Sequence, residues 1–287
     1  MSGPRFAVSQ FSTLNQGFDE DLEAFVAGGA EGIGIAEAKL PEGRDADSLR
    51  RLRESGLAAT IALPELLSVL PCPPFGGPED PDERVSALCA SVRRLARFEP
   101  LVVLLLTGPA GGREPEDARR IAVEGLREVA RVAAGVGVPV ALEPIHASAR
   151  DDFTLPATIP EAISIVEEVG EPMGLIVDTW HLWDTPDVLS WVRAEAGRFA
   201  AVHVNDWRGE TRGWDDRALP GDGVIDLPAI LGALEEGGYD GWYELEVFSS
   251  EAYPDSLLQL PAAELVRRGR EGFMRAWQAR RPAVASG

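Results

Sequence analysis

Eight short apolar runs alternate with eight helix-patterned runs along the 287 residues, and this predicts one α/β domain, a single (β/α)8 barrel of the TIM type. Two further observations favour one barrel over two smaller domains. No linker, low-complexity segment or close repeat interrupts the alternation. Several apolar runs of the second half also end abruptly in ionisable residues, and barrel enzymes carry their chemistry at the C-terminal ends of their strands.

A β-branched or apolar run flanked by helical segments reads as a strand buried on both faces of a parallel sheet. The first such strand covers residues 6–14, followed by a helix at 19–27 closed by Gly28 and Gly29. A second strand at 32–38 leads to a short helix at 45–54 with Asp47 as its cap, and a third strand follows at 57–63. Pro71, Pro73, Pro74, Gly76, Gly77 and Pro78 exclude regular structure from 64–81, which is either a surface loop or a lid over the barrel mouth. A helix at 81–98, a strand at 101–106, a long amphipathic helix at 114–134 and a strand at 138–142 come next. The remaining units are a helix at 159–169, a strand at 174–177, a helix at 186–196 and a strand at 199–204. A polar, Gly-rich loop at 206–223 precedes a helix at 227–236, a strand at 242–247 and a closing helix at 262–280. The domain spans 1–287 in this reading.

The formal net charge of −20 opposes binding to nucleic-acid phosphates, which rests on Lys and Arg, but not the attraction of a divalent cation. Lys39 is the only lysine, and Cys72 and Cys89 lack zinc-type spacing, so both read as ordinary thiols. No apolar run approaches the ~20 residues of a membrane span, and the N-terminal Met-Ser-Gly-Pro-Arg-Phe lacks an apolar signal region. The expectation is a cytoplasmic protein with no nucleic-acid or membrane partner.

Four successive strands end in a metal-capable residue: Glu143, Asp178, His203 and Glu246, each about one strand–helix unit from the next. Barrel closure would bring them to one rim. Taken singly, Glu143 would pair with an arginine, Asp178 would cap a helix, and His203 would be a hydrogen-bonded structural group. Taken together, three carboxylates and an imidazole suit Mn²⁺, Mg²⁺ or Co²⁺, with Zn²⁺ also within reach. Without a cation the carboxylates would raise one another's pKa. Glu244 competes with Glu246, because strand alternation points both the same way. Trp180, Trp183, Trp207 and Trp214 cluster around these motifs, either to stack on a sugar ring or to pack between barrel and helices. His146, three residues past Glu143, is a candidate for substrate contact.

Leu142-Glu143-Pro144, Asp178-Thr179-Trp180-His181, Val202-His203-Val204, Pro220-Gly221-Asp222-Gly223 and Glu246-Val247-Phe248 together resemble the xylose isomerase-like TIM-barrel superfamily. Within it the chain is similar to the sugar phosphate isomerase/epimerase group, which includes ketose 3-epimerases, hydroxypyruvate isomerase and inosose dehydratase. That resemblance implies one divalent metal held by Glu143, Asp178, His203 and Glu246. It makes Glu143 and Glu246 the catalytic acid/base pair, and His181 and Arg217 the groups that hold substrate oxygens; His146 and Trp180, by their position near these motifs, are further candidates for substrate contact. It favours Glu246 over Glu244 through the match to Glu-x-Phe.

The implied reaction is isomerisation or epimerisation of a small ketose or keto-polyol through a metal-stabilised enediolate; Asp222 in the turn after the seventh strand and the lack of an adjoining basic cluster favour an unphosphorylated one. The alternative is dehydration of a cyclic keto-polyol such as inosose or 3-dehydroshikimate. Residues 205–216 lengthen the gap between His203 and Arg217, so Arg208 or Arg212 competes with Arg217 for the substrate role. A DNA-repair endonuclease would need more His and Asp ligands and a basic groove. A non-catalytic sugar-binding barrel would not need the full ligand set. A homodimer is expected by analogy with the family.

Overall fold

Parallel strands can be joined only by long crossovers, and a helix on each crossover covers the outer face of the sheet. The computed structural model, which describes residues 3–280, has this arrangement. Its strands are β1 Arg5–Ser9, β2 Gly32–Ala36, β3 Ala58–Leu63, β4 Val102–Leu105, β5 Val140–Leu142, β6 Gly174–Asp178, β7 Phe199–Val204 and β8 Trp242–Leu245. They pair in sequence order, and β8 pairs with β1 from Arg5↔Trp242 to Val8↔Leu245, which closes the barrel. The outer helices are α1 Phe18–Gly28, α2 Asp45–Ser55, α3 Pro81–Leu95, α4 Pro115–Val136, α5 Ile159–Val169, α6 Val188–Glu195, α7 Leu227–Glu236 and α8 Ala262–Ala279. Met1, Ser2 and 281–287 lie outside the described residues. No helix among the described residues is long and apolar enough to cross a membrane.

Strand alternation sorts the core into two layers. Val103, Leu105, Val140 and Val202 face outward against the helices, where Phe25, Leu88, Leu126 and Phe273 meet them. Ile61, Val102, Leu104, Ala141, Ile176 and Ala201 fill the barrel interior. Residues two further along from Ala141, Ile176 and Ala201 are Glu143, Asp178 and His203, so the same alternation turns these side chains inward at the C-terminal rim.

Several boundaries differ from expectation. β1 ends at Ser9 rather than 14, because Gln10–Thr13 form a 3-10 turn held from three sides. Gln10 Oε1 accepts the N–H of Ala36, Ser12 Oγ donates to the Leu245 carbonyl, and Thr13 Oγ1 donates to Asp21. Asp21 also pairs with Lys39 at 2.7 Å, so the lone lysine fastens this turn to α1. Asp47 is not the cap of α2; the helix begins at Asp45, and Asp47 takes the side chain of Arg44 instead. The 206–223 segment is not wholly irregular, because Asp206–Trp207 and Arg217–Ala218 form a short antiparallel ribbon.

Residues 64–80 are irregular apart from a 3-10 turn at Pro73–Phe75, Pro81 already opens α3, and Arg84 of that helix pins the segment. Its side chain is fully buried and donates to the carbonyls of Ser68, Gly76 and Pro78 and to Ser68 Oγ. Arg84→Ala leaves these acceptors unpaired in a dry setting, a loss of about 2–4 kcal/mol. Urea denaturation reads that loss, and limited proteolysis should show new cleavage within 64–81. An unchanged midpoint and digestion pattern would show that the loop holds itself.

Candidate metal centre

Glu143 follows β5 directly, Asp178 ends β6, His203 lies in β7 and Glu246 follows β8, so neighbouring strands deliver the four groups to one rim. All four are buried, and one donor atom from each lies within 4.8 Å of the others. His203 Nδ1 stands 3.0 Å from Glu143 Oε1, 3.5 Å from Glu246 Oε2 and 3.9 Å from Asp178 Oδ2. Opposed ligands of one small divalent ion stand about 4 Å apart, so the spacing and the oxygen-rich donor set both fit a metal.

Arg217 Nη1 reaches into the same cluster, 2.7 Å from Asp178 Oδ2 and 3.1 Å from Glu246 Oε2. A guanidinium thus supplies part of the positive charge that a cation would bring. Arg208 and Arg212 do not compete for this place. Arg208 pairs with Asp216 at 2.9 Å and Asp255 at 3.2 Å, and Arg212 with the same two at 2.6 and 2.8 Å.

Burial pushes the Glu143 carboxyl up to about 7, with Glu246 and Asp178 adding to the rise and His203 opposing it. Burial likewise raises Glu246. Asp178 goes the other way: burial alone would raise it, but Arg217 first, then His181 and His203, hold it down to about 2. Burial works against the charged form of His203, yet Glu246, Glu143 and Glu244 outweigh it and hold that imidazole well above its ordinary value. Burial drives His181 down to about 3, so it is neutral near pH 7. Its Nδ1 accepts the backbone N–H of His146, which leaves the ring proton on Nε2, 3.1 Å from Arg217 Nη2. Two donors side by side form a cleft that an acceptor oxygen would relieve.

Glu143, Glu246, His181 and Arg217 line the cavity above the cluster. The rest of its wall is apolar. Phe11, Phe75, Phe153, Trp214 and Phe248 form a closed ring with successive centroids 6.3, 5.9, 5.3, 5.3 and 5.5 Å apart. Phe75 belongs to the 64–81 segment, which therefore walls the cavity. His146 and Trp180 stand a layer behind. The His146 ring turns to Ser148 and Asp184, at 2.7 and 3.2 Å, and only its backbone serves His181. Trp180 packs on Trp207 at 4.3 Å and under His181 at 5.2 Å, while Trp183 also packs on Trp207.

Two supporting residues escaped the sequence reading. Asn205 donates to Asp178 Oδ1 at 2.9 Å and to the Glu246 carbonyl at 3.0 Å, tying two candidate ligands together. Ser9 Oγ donates to Glu246 Oε1 at 3.3 Å across the β1–β8 seam. Adjacency of Asn205 to Val-His-Val was the one signal available for the first; nothing local marks the second.

The family model described as xylose isomerase-like TIM barrel matches residues 22–277. The chain belongs to that family. Among its relatives, inosose isomerase of Halalkalibacterium halodurans is 31% identical over 161 residues, covering 54% of this chain and 54% of that one. L-ribulose-5-phosphate 3-epimerase of Shigella boydii is 30% identical over 155 residues, covering 53% and 49%. The chain thus spans about half the length of the curated relatives it matches. A crystal structure of a protein from Sinorhizobium meliloti 1021 superposes with a TM-score of 0.83 at 26% identity, over 94% of this chain and 98% of that one.

A cation entering this cluster must displace protons held by Glu143 and His203. Metal affinity should therefore rise with pH, most steeply below about 7, with proton release on binding. Calorimetry in buffers of different ionisation enthalpy measures the release. An affinity constant between about pH 5.5 and 8 would contradict the charge distribution described.

Proposed function

We propose that the chain is a divalent-metal-dependent isomerase or epimerase of a small unphosphorylated ketose or keto-polyol. The observation that carries this reading is the convergence of Glu143, Asp178, His203 and Glu246 on one buried point, with Glu143 and Glu246 also facing the cavity. These four residues would hold the ion, and the oxygen-rich set favours Mn²⁺, Mg²⁺ or Co²⁺, with Zn²⁺ accommodated. When bound, the ion supplies Lewis acidity that polarises a substrate carbonyl and acidifies the neighbouring C–H.

The chain's own residues do the rest. His181 Nε2 and the Arg217 guanidinium orient substrate oxygens in the cleft between them. Glu143 and Glu246 come from β5 and β8, which flank β6 and β7, so they approach the substrate from two sides. One carboxylate removes the α-proton to give an enediol(ate), and the other returns a proton to the opposite face or the adjacent carbon. The aromatic ring excludes water from this exchange and lowers the local dielectric.

Charge and donor supply favour an unphosphorylated substrate. Arg217 is already committed to Asp178 and Glu246, and Arg208 and Arg212 to Asp216 and Asp255. The N–H of Gly221, in the turn after β7 where many barrels bind phosphate, is donated to Asp206. Beyond the His181–Arg217 cleft, a phosphate such as the one named in the Shigella relative would meet an apolar wall and the carboxylates of Glu143 and Glu246.

The test begins with metal content. Wild type should carry about one ion per chain, and Glu143→Gln/Asp178→Asn should carry none. The loaded wild type, given unphosphorylated ketoses and inososes in D₂O, should place deuterium at the carbon α to the carbonyl, and the double variant should not. A conjugated enone absorbing in the ultraviolet would instead assign the dehydratase reaction. Metal-free wild type that no divalent ion stabilises against heat would sink the enolisation reading.

Substrate charge gives a second test. Metal-loaded enzyme should favour a ketose over its terminal phosphate ester by at least about tenfold in kcat/KM, roughly the worth of one charged contact. The reverse preference would overturn the unphosphorylated assignment.

A further inference from the structure

Glu244 belongs to neither the candidate ligand set nor the cavity wall, yet it is fully buried inside the barrel. It precedes Glu246 by two residues, so it shares the inward face and sits one layer deeper, directly across from His203 in the β7–β8 register. Its Oε2 accepts the Thr60 hydroxyl and, at 3.3 Å, the N–H of Ile61. Its Oε1 and His203 Nε2 are both buried without a hydrogen-bond partner, and they face each other at 3.7 Å. Two orphaned polar atoms of opposite character in one dry space are costly apart and need a shift of only about 0.8 Å to form a charge-assisted hydrogen bond.

The barrel makes room for this carboxylate. A Cβ at Gly34 of β2 would collide with Glu244 Oε1, and Gly34 has no left-handed φ that would itself call for glycine, so its lack of a side chain serves as a berth. Thr60 of β3 completes it. The carboxylate lies on the far side of the imidazole from Glu143, Asp178 and Glu246, which rules it out as a fourth carboxylate ligand to the same ion.

We propose that Glu244 is a positioning residue: it holds the Nε2–H of His203 and so presents Nδ1 as that ring's metal-binding nitrogen. A metal-bound imidazole commonly donates its other N–H to a carboxylate, which fixes ring orientation and tautomer. The proposal rests on the metal reading above and adds a residue to it.

Glu244→Gln is the discriminating change because the Ile61 N–H and Thr60 keep the amide oxygen on their side. The amide NH₂ then meets His203 Nε2, which must accept, and the ring proton moves to Nδ1, facing the ligands. Zinc affinity, measured by chelator competition, should weaken by about 10–100-fold, while the melting temperature of the metal-free protein stays near that of wild type. Gly34→Ala, which displaces the carboxylate from a strand that holds no candidate ligand, should weaken zinc in the same sense.

With three histidines in the chain, ¹⁵N-detected imidazole spectra are readable without variants. Zinc-loaded wild type should show His203 with a slowly exchanging Nε2–H and a metal-shifted Nδ1. Coordination through Nε2, or a Glu244→Gln zinc affinity within about twofold of wild type, would overturn the proposal. Wild type that binds no zinc, manganese, magnesium or cobalt would overturn the metal reading itself, and this one with it.

Discussion

Burying several carboxylates around one point is the constraint to which the rest of this structure answers. Glu143, Asp178 and Glu246 crowd the Nδ1 side of one imidazole, and Glu244 faces its other nitrogen. Each buried charge costs several kcal/mol unless it is paired and hydrogen-bonded. Within the chain, His203 and Arg217 supply the compensating charge, and Asn205, Ser9, Thr60 and the Ile61 N–H supply the bonds. Asp178 and Glu143 part company because Arg217 contacts the first and not the second.

The barrel is what makes such crowding tolerable. Parallel alternation places Ala141 and Ala201 just below Glu143 and His203, and these small side chains leave interior volume for the polar layer. Gly34 does the same for Glu244. Above the polar layer, five aromatic rings line the mouth, so the buried groups below them interact in a low-dielectric setting. Three of those rings, Phe75, Phe11 and Trp214, come from segments fastened by a buried polar anchor. Arg84 holds the segment with Phe75, Lys39 and Asp21 hold the turn with Phe11, and Asp206 holds the ribbon loop through the N–H groups of Trp207, Gly221 and Ile225.

Most of this architecture could be read from local pattern. Each strand is a short apolar run between helical segments, a signal that survives tertiary folding because burial on both faces demands it. Boundaries were less legible where a polar group from elsewhere decides them. The 3-10 turn after Ser9 is set by Ala36 and Leu245, which are distant in sequence. Beside the ribbon in 206–223, Asp216 gathers Arg208 and Arg212, which removes both arginines from the site. The Trp cluster was visible, but its members divide by position: Trp214 joins the cavity wall, while Trp180, Trp183 and Trp207 pack on one another.

By itself, the sequence determined the barrel, the rim that carries the candidate site and the four groups that end successive strands there, because strand periodicity and chain order are local properties. Only the tertiary structure decided how neighbouring candidates divide. Glu244 and Glu246 have the same parity and the same residue type, and depth along the barrel axis separates them. Arg217 is chosen over Arg208 and Arg212 by ion pairs across a loop, and His146 is turned away from the cavity by Asp184. Depth, pairing and side-chain direction depend on atoms brought together from different strands, and no spacing along the chain encodes them.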